Sequence, residues 1–243
     1  MKVTENCYAV LGLACYPPWT VNSGFIVGKD TTLIVDSGFN SLAASTIYGY
    51  ASCVREKNKY ILLNTEKHLD HIGGNSFFHK MIIDIFGHKD ISRTDEELQE
   101  NIRYYNDSIL DEQRKELEEC NLIFRDTYIV NPNKPISSNI ELNLGGLDVH
   151  VFLTPGHTKT NISVFVPKDK VIYCGDCIVN GYLPNMESGN AEDLKTWLNS
   201  LDLILSKDPE YVVPGHGFVL KGSEIENEVA RIKSILNESM RSV

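Results

Sequence analysis

A chain of 243 residues, 42% of them hydrophobic, is long enough to bury one large core, and α/β domains of that size are ordinary. Thirty-three acidic residues against twenty-three basic ones leave a formal net charge of −10, which disfavours wrapping a nucleic-acid backbone and argues against a nuclease. Six cysteines without regular spacing do not suggest a disulfide scaffold and fit a reducing, cytoplasmic setting, and no stretch approaches the roughly twenty apolar residues that a membrane span needs.

The apolar start, Cys7 to Tyr16, resembles a signal segment, but Glu5 and Asn6 interrupt its front and only about ten apolar residues follow, so a first β-strand is the better reading. Tyr16-Pro-Pro-Trp19 then makes a rigid apolar turn, with Trp19 a candidate wall of a substrate groove. Gly24 to Val27, Thr32 to Val35 and Tyr60 to Leu63 read as strands. From Ser92 to Glu119 the chain is charged and helix-like. Leu98, Ile102, Tyr105, Ile109 and Leu117 recur there near helical spacing, so residues 92–119 form a helical insertion between two similar halves, either a lid or a pair packed on the outside. The second half repeats the plan with strands at Val149 to Leu153, Ile162 to Val166, Lys170 to Tyr173 and Tyr211 to Val213. Tyr182-Leu-Pro offers a second groove wall, and Ala191 to Leu205 and Ser223 to Met240 carry apolar residues at helical spacing. The expected organisation is one domain over residues 1–243.

Chemistry concentrates between Asn64 and Asn75, where N-T-E-K-H-L-D-H-I-G-G-N places Glu66, His68, Asp70 and His71 close together as metal ligands. In extended chain, residues two apart project to the same side, so Glu66 and His68 can grip one ion, leaving Asp70 and His71 for another. Gly73 and Gly74 allow close backbone packing as the chain turns into a helix. Thr-Pro-Gly-His157, Tyr-Cys-Gly-Asp176 and Val-Pro-Gly-His216 each add a single ligand after an apolar run. Seven side chains thus suit two divalent ions. His79, His88 and His150 lack such company and read as structural or exposed. Cys174-Gly-Asp-Cys177 has the spacing of a redox motif, but its cysteines flank a carboxylate at an expected strand end, which favours buried thiols.

On these residues the chain resembles the metallo-β-lactamase superfamily over nearly its whole length. The resemblance implies an α/β fold, a four-layer αββα sandwich of two mixed β-sheets with outer helices and ions in a groove at one sheet edge. It implies a first site of Glu66, His68 and His157, a second of Asp70, His71 and His216, and Asp176 bridging the two. In Val-Asp36-Ser-Gly, Asp36 resembles the family's acidic turn, which braces the ligand loop without touching metal. One position departs from the pattern, since Glu66 stands where the family's loop begins with histidine. Three carboxylates and a bridging hydroxide then balance the charge of two divalent ions, which weakens the Lewis acid and tilts preference toward manganese or iron, although zinc remains the first expectation.

The implied activity is that of a metal-dependent hydrolase in which metal-held hydroxide, oriented by Asp70, attacks a small ester, thioester, lactone or related carbonyl substrate. The acidic surface suits a neutral or cationic one. β-Lactam hydrolysis, a single-iron sulfur dioxygenase and a non-catalytic metal-binding protein are the alternatives. Asp176 weighs against the first, because true β-lactamases of this superfamily carry cysteine or serine there. The thioesterase branch keeps the aspartate but adds a basic C-terminal helical region, for which too little chain follows His216. Oligomeric state stays open, a homodimer included.

Overall fold

The computed structural model describes residues 1–13, 20–81, 83–108, 123–186 and 190–241. Two six-stranded sheets form its centre. The first runs β1 (Cys7–Val10), β2 (Ser23–Val27), β3 (Thr31–Val35), β4 (Lys59–Leu63), β5 (Ile85–His88) and β6 (Lys134–Ile136) in chain order. The second has the order β12-β11-β10-β9-β8-β7, from β7 (Ile140–Asn143), β8 (Asp148–Leu153), β9 (Ile162–Val166), β10 (Val171–Tyr173), β11 (Tyr211–Val213) and β12 (Leu220–Lys221). Both sheets are mixed: β3 to β6 pair in parallel, as do β10 and β11, while the remaining neighbours are antiparallel.

The central strands are apolar on both faces because both are covered. Inward residues such as Ile26, Leu33, Leu63, Val149, Val164 and Tyr173 make a core between the sheets. Outward residues of the first sheet, among them Phe25, Ile34 and Leu62, pack on α1 (Ser41–Arg55) and α3 (Asn75–Lys80) through Ala44, Ile47 and Phe78. Outward residues of the second, including Phe165, Ile172 and Val212, pack on α5 (Ala191–Leu205) and α6 (Ser223–Arg241) through Trp197, Leu201, Val229 and Ile232. The four expected layers are present. No helix among the described residues is long and apolar enough to cross a membrane.

Strand β1 ends at Val10 instead of running on to Tyr16, and residues 14–19 fall outside those described. Strands β5 to β7 escaped the pattern of apolar runs because they are short and broken in composition. Gly87 sits within β5, and Pro135 lies in β6 at the sheet edge, where its missing N–H does no harm. In the segment 92–119, α4 (Asp95–Ser108) opens on a reciprocal cap: Thr94 N–H donates to Glu97 Oε2 at 2.8 Å, and Glu97 N–H donates to Thr94 Oγ1 at 3.3 Å. Its Leu98 is buried with Ile91, Phe39 and Phe124 against Leu69 and Ile72 of α2 (Leu69–Ile72), behind the ligand-bearing loop; residues 109–119 lie outside the described ones.

Register carries the candidate ligands to one edge. Val35 pairs with Leu63, so Asp36 and the Glu66 loop leave neighbouring parallel strands side by side. Tyr173 pairs with Val213, and Asp176 and His216 each follow three residues later. His157 follows the end of β8 on the next turn. The hydrogen bond from Ile162 N to Thr65 O, at 2.7 Å, ties the two halves together at that edge.

Candidate metal centre

The loop after β4 is held from behind by buried polar groups. Asp36 Oδ1 accepts from the Thr65 N–H at 2.7 Å, and its Oδ2 accepts from the Thr65 hydroxyl at 2.7 Å and from His71 Nδ1 at 2.9 Å. Those bonds leave His71 Nε2 as the atom that faces the cluster, a tautomer fixed by the carboxylate behind it. Beneath the loop, Asn64 Nδ2 and the Ser37 hydroxyl both donate to His71 O at 3.0 Å, and Asn75 Nδ2 donates to Asn64 Oδ1 at 2.8 Å. The glycines expected to permit close packing do so. A Cβ at Gly73 would lie 2.1 Å from Phe39 O, and one at Gly74 2.2 Å from Ser37 O.

From this frame Glu66, fully buried, turns inward. Its Oε1 lies 3.1 Å from His68 Nδ1, 3.3 Å from His157 Nε2 and 3.3 Å from His71 Nε2. His157 Nε2 also faces His68 Nδ1 at 3.1 Å. His216 Nε2 stands 3.3 Å from Asp70 Oδ2 and 3.2 Å from Asp176 Oδ2, while His71 Nε2 is 3.8 Å from Asp70 Oδ2 and 3.3 Å from Asp176 Oδ1. Asp176 Oδ2 reaches His157 Nε2 at 3.6 Å, so this carboxylate touches both clusters. All seven sequence-predicted ligands come together.

The second-half ligands are braced differently. Trp197 of α5 packs its ring edgewise on His157, centroids 5.6 Å apart, and its indole N–H donates to Cys177 O at 2.9 Å, beside Asp176. The Ser200 hydroxyl donates to Pro155 O at 2.6 Å. His157 Nδ1 is 2.8 Å from Asn185 O, and His216 Nδ1 bonds to Thr20 O. Gly215 lets that last turn close, since a Cβ there would fall 1.9 Å from Asp176 Oδ1. Cys174 and Cys177 are wholly buried, and burial pushes both thiols up, away from redox use.

Charge is balanced within the cluster. Burial by itself would raise each carboxyl, but His157 and His68 hold Glu66 well below the usual carboxylate range, and His216 and His71 do the same for Asp176. His71 and His216 also lower Asp70. Burial in turn opposes charge on the histidines, yet Asp70, Asp36 and Asp176 carry His71 well above its ordinary value, and Asp176 and Asp70 push His216 up to about 11. Three buried carboxylates thus draw positive charge to one point.

The donor atoms fit a metal ion. Glu66, His68 and His157 form one group whose donor atoms lie within 4.8 Å of one another; Asp70, His71 and His216 form a second; Glu66, His71 and Asp176 form a third. Glu66 Oε2, His71 Nε2 and Asp176 Oδ1 are buried without a hydrogen-bond partner, three of five such side-chain atoms among the described residues. Leaving one such atom unsatisfied costs about 1–3 kcal/mol, and these three belong to residues that form one of the ligand groups above. Nitrogen and carboxylate oxygen together suit zinc, iron or manganese.

A groove of about 350 Å³ opens onto this cluster. Tyr182 lines it as expected, its ring 5.8 Å from that of His216 and its hydroxyl 3.3 Å from Thr20 Oγ1. Trp19 lies outside the described residues. Arg93 and Asn101 also line the groove, and sequence reasoning missed both. No motif marks them; only the packing of α4 against α2 brings them there. His79 is exposed, His88 is buried with its Nδ1 accepting from the Asp90 N–H, and His150 faces Glu141; none of the three belongs to a candidate ligand group.

A profile of the metallo-beta-lactamase superfamily matches residues 16–216, and the chain belongs to that superfamily. Hydroxyacylglutathione hydrolase from Legionella pneumophila strain Paris is 27% identical over 120 residues, covering 49% of this chain and 46% of that enzyme. Beta-lactamase-like protein 2 homolog from Drosophila melanogaster is 33% identical over 105 residues, 42% of this chain and 32% of the relative. The chain therefore spans less than half the length of either. In fold it is similar to a metallo-beta-lactamase from Pontibacter korlensis, with a TM-score of 0.70 at 16% identity, covering 98% of this chain and 97% of that one.

Proposed function

We propose that this metallo-hydrolase fold holds two divalent ions, zinc first among the candidates, and cleaves a small ester, thioester or lactone. Glu66, His68 and His157 would hold one ion and Asp70, His71 and His216 the other, with Asp176 between them. The observation that carries this reading is that Glu66, His71 and Asp176, whose ligand atoms lie within 4.8 Å of one another, each also keep a buried polar atom without a hydrogen-bond partner. Such ions, when bound, acidify water and polarise a carbonyl oxygen. The chain's own residues divide the remaining work. Asp36 fixes His71 through Nδ1. Asp70 and Asp176 both line the groove, and Asp70, with its side chain 19% exposed against 11% for Asp176, is the more open carboxylate and the one suited to orient a water and carry its proton at Oδ2. Tyr182 lines the groove beside His216. A likeness to a hydroxyacylglutathione hydrolase supports thioesters within this class, and Asp176 weighs against β-lactams as the main substrate.

Elemental analysis of the purified protein, paired with turnover of chromogenic esters, thioesters, lactones, cephalosporins and phosphodiesters, tests the reading. Two equivalents of metal and turnover of a carbonyl substrate are expected, and Asp70→Ala should lower kcat by about 100-fold or more while leaving the fold. Full activity in Asp70→Ala would discard its role. Absence of bound metal after incubation with zinc, manganese or ferrous iron would discard the centre.

A further inference from the structure

The groove that holds the ligands also carries a cation on its lining. Among the described residues lining it, Arg93 is the sole lysine or arginine. It stands in the turn before α4, with its backbone clamped on both sides by Asn131: Arg93 N–H donates to Asn131 Oδ1 at 2.8 Å, and Asn131 Nδ2 donates to Arg93 O at 3.0 Å. Its side chain is only 15% exposed, and Nε, buried, has no acceptor among the described residues. The nearby carboxylate, Glu97, approaches Nη1 at 3.5 Å, while its Oε2 is engaged in capping α4. A guanidinium presents five donors in a planar fork. Here it is largely withdrawn from water, with Glu97 beside Nη1 and Nε left unsatisfied, and it lines the same small groove as the metal cluster. Asn101, two turns along α4 on the same side as Arg93 and Glu97, extends that polar strip beside it.

We infer that Arg93 is an anion-receiving residue of the groove, and that the substrate is an ester, thioester or lactone bearing a carboxylate some bonds away from the one cleaved. This rests on the hydrolase reading above and narrows its substrate class. It also reverses what net charge suggests: a chain of net charge −10 favours neutral or cationic partners at long range, but the wall a substrate meets is set by the groove's own side chains. Arg93 would select by binding, so its effect falls on KM. The acyl or leaving group carrying the carboxylate is positioned by the guanidinium while the carbonyl faces the cluster.

The test compares 4-nitrophenyl hemisuccinate with its neutral methyl ester on the metal-loaded full chain. The acid should be preferred by about tenfold or more in kcat/KM, mainly through KM, as a charge-assisted contact with a carboxylate predicts. In Arg93→Gln that ratio should fall to near one, and Arg93→Lys, which keeps the charge but not the fork, should retain part of it. A ratio at or below one in the parent, or an unchanged ratio in Arg93→Gln, overturns the inference. Calorimetry with succinate on the metal-loaded parent and on Arg93→Gln separates this outcome from failure of the hydrolase reading. A roughly tenfold weaker affinity in the variant supports the anion site even if neither ester is turned over, and equal affinities overturn it.

Discussion

Four of the seven candidate ligands stand on a single loop, Glu66 to His71, while the second half supplies His157, Asp176 and His216 one at a time; the two sets are braced by different forces. Behind the loop lies a buried polar network of Asp36, Thr65, Asn64, Ser37 and Asn75, each with named hydrogen-bond partners. Behind the three single ligands lie strand register and apolar packing, with Trp197 fully buried against His157 and Cys177. The physical reason is local. A loop dense in ligands departs from the sheet ladder, so its backbone needs side chains to satisfy it. A single ligand just beyond a strand end inherits its position from the register of that strand, and one backbone carbonyl then fixes each ring, Asn185 O for His157 and Thr20 O for His216, with the Trp197 wedge beside His157.

The contrast can be broken from each side. Trp197→Ala removes the apolar brace and should cost about 3–5 kcal/mol of stability, lowering Tm by roughly 6–20 °C, read by calorimetry on the metal-free protein. Metal affinity measured below the transition should change less than stability does; the reverse ranking would show that Trp197 chiefly orients His157. Asp36→Asn attacks the polar brace. It keeps the size of the side chain but loses the charge that fixes His71, and metal affinity is expected to fall about 10–100-fold while far-ultraviolet dichroism stays that of the parent. An unchanged affinity would mean that Thr65 and Asn64 hold the loop without it. The smallest effect is expected at Glu66→His, which leaves both braces intact and exchanges a carboxylate for an imidazole. On the proposed ligand set the ratio of zinc to manganese affinity should rise several-fold, measured by competition titration. A constant ratio would remove Glu66 from coordination.

Much of the site was legible in the chain because its chemistry is local. The stretch from Glu66 to His71 puts four donors within six positions, and the Pro-Gly-His turns announce strand ends. The strands β2 to β4 and β9 to β11 are legible for the same reason: burial on both faces leaves a composition that can be read without coordinates, and β8 shows its buried Val149 and Val151 in alternation. Short β5 and β6 were not legible, since a glycine or proline in a run of three or four residues hides the pattern. The insertion from Ser92 showed its helical period but not its place. The apolar stripe of a helix tells that it packs, not what it packs on, and Leu98 meets Leu69 and Ile72 only in the folded chain.

By itself the sequence marked the candidate metal ligands and the long buried strands, because ligand types and apolar runs are properties of short segments, while the two-sheet sandwich was implied by the family resemblance those residues carry. Tertiary structure alone decided that Asp36, expected from the resemblance to brace the ligand loop, does so through His71 Nδ1 and Thr65, that Trp197 wedges His157, and that Arg93 lines the groove. Each of these joins segments far apart along the chain, and only strand register and helix packing bring such segments within bonding distance.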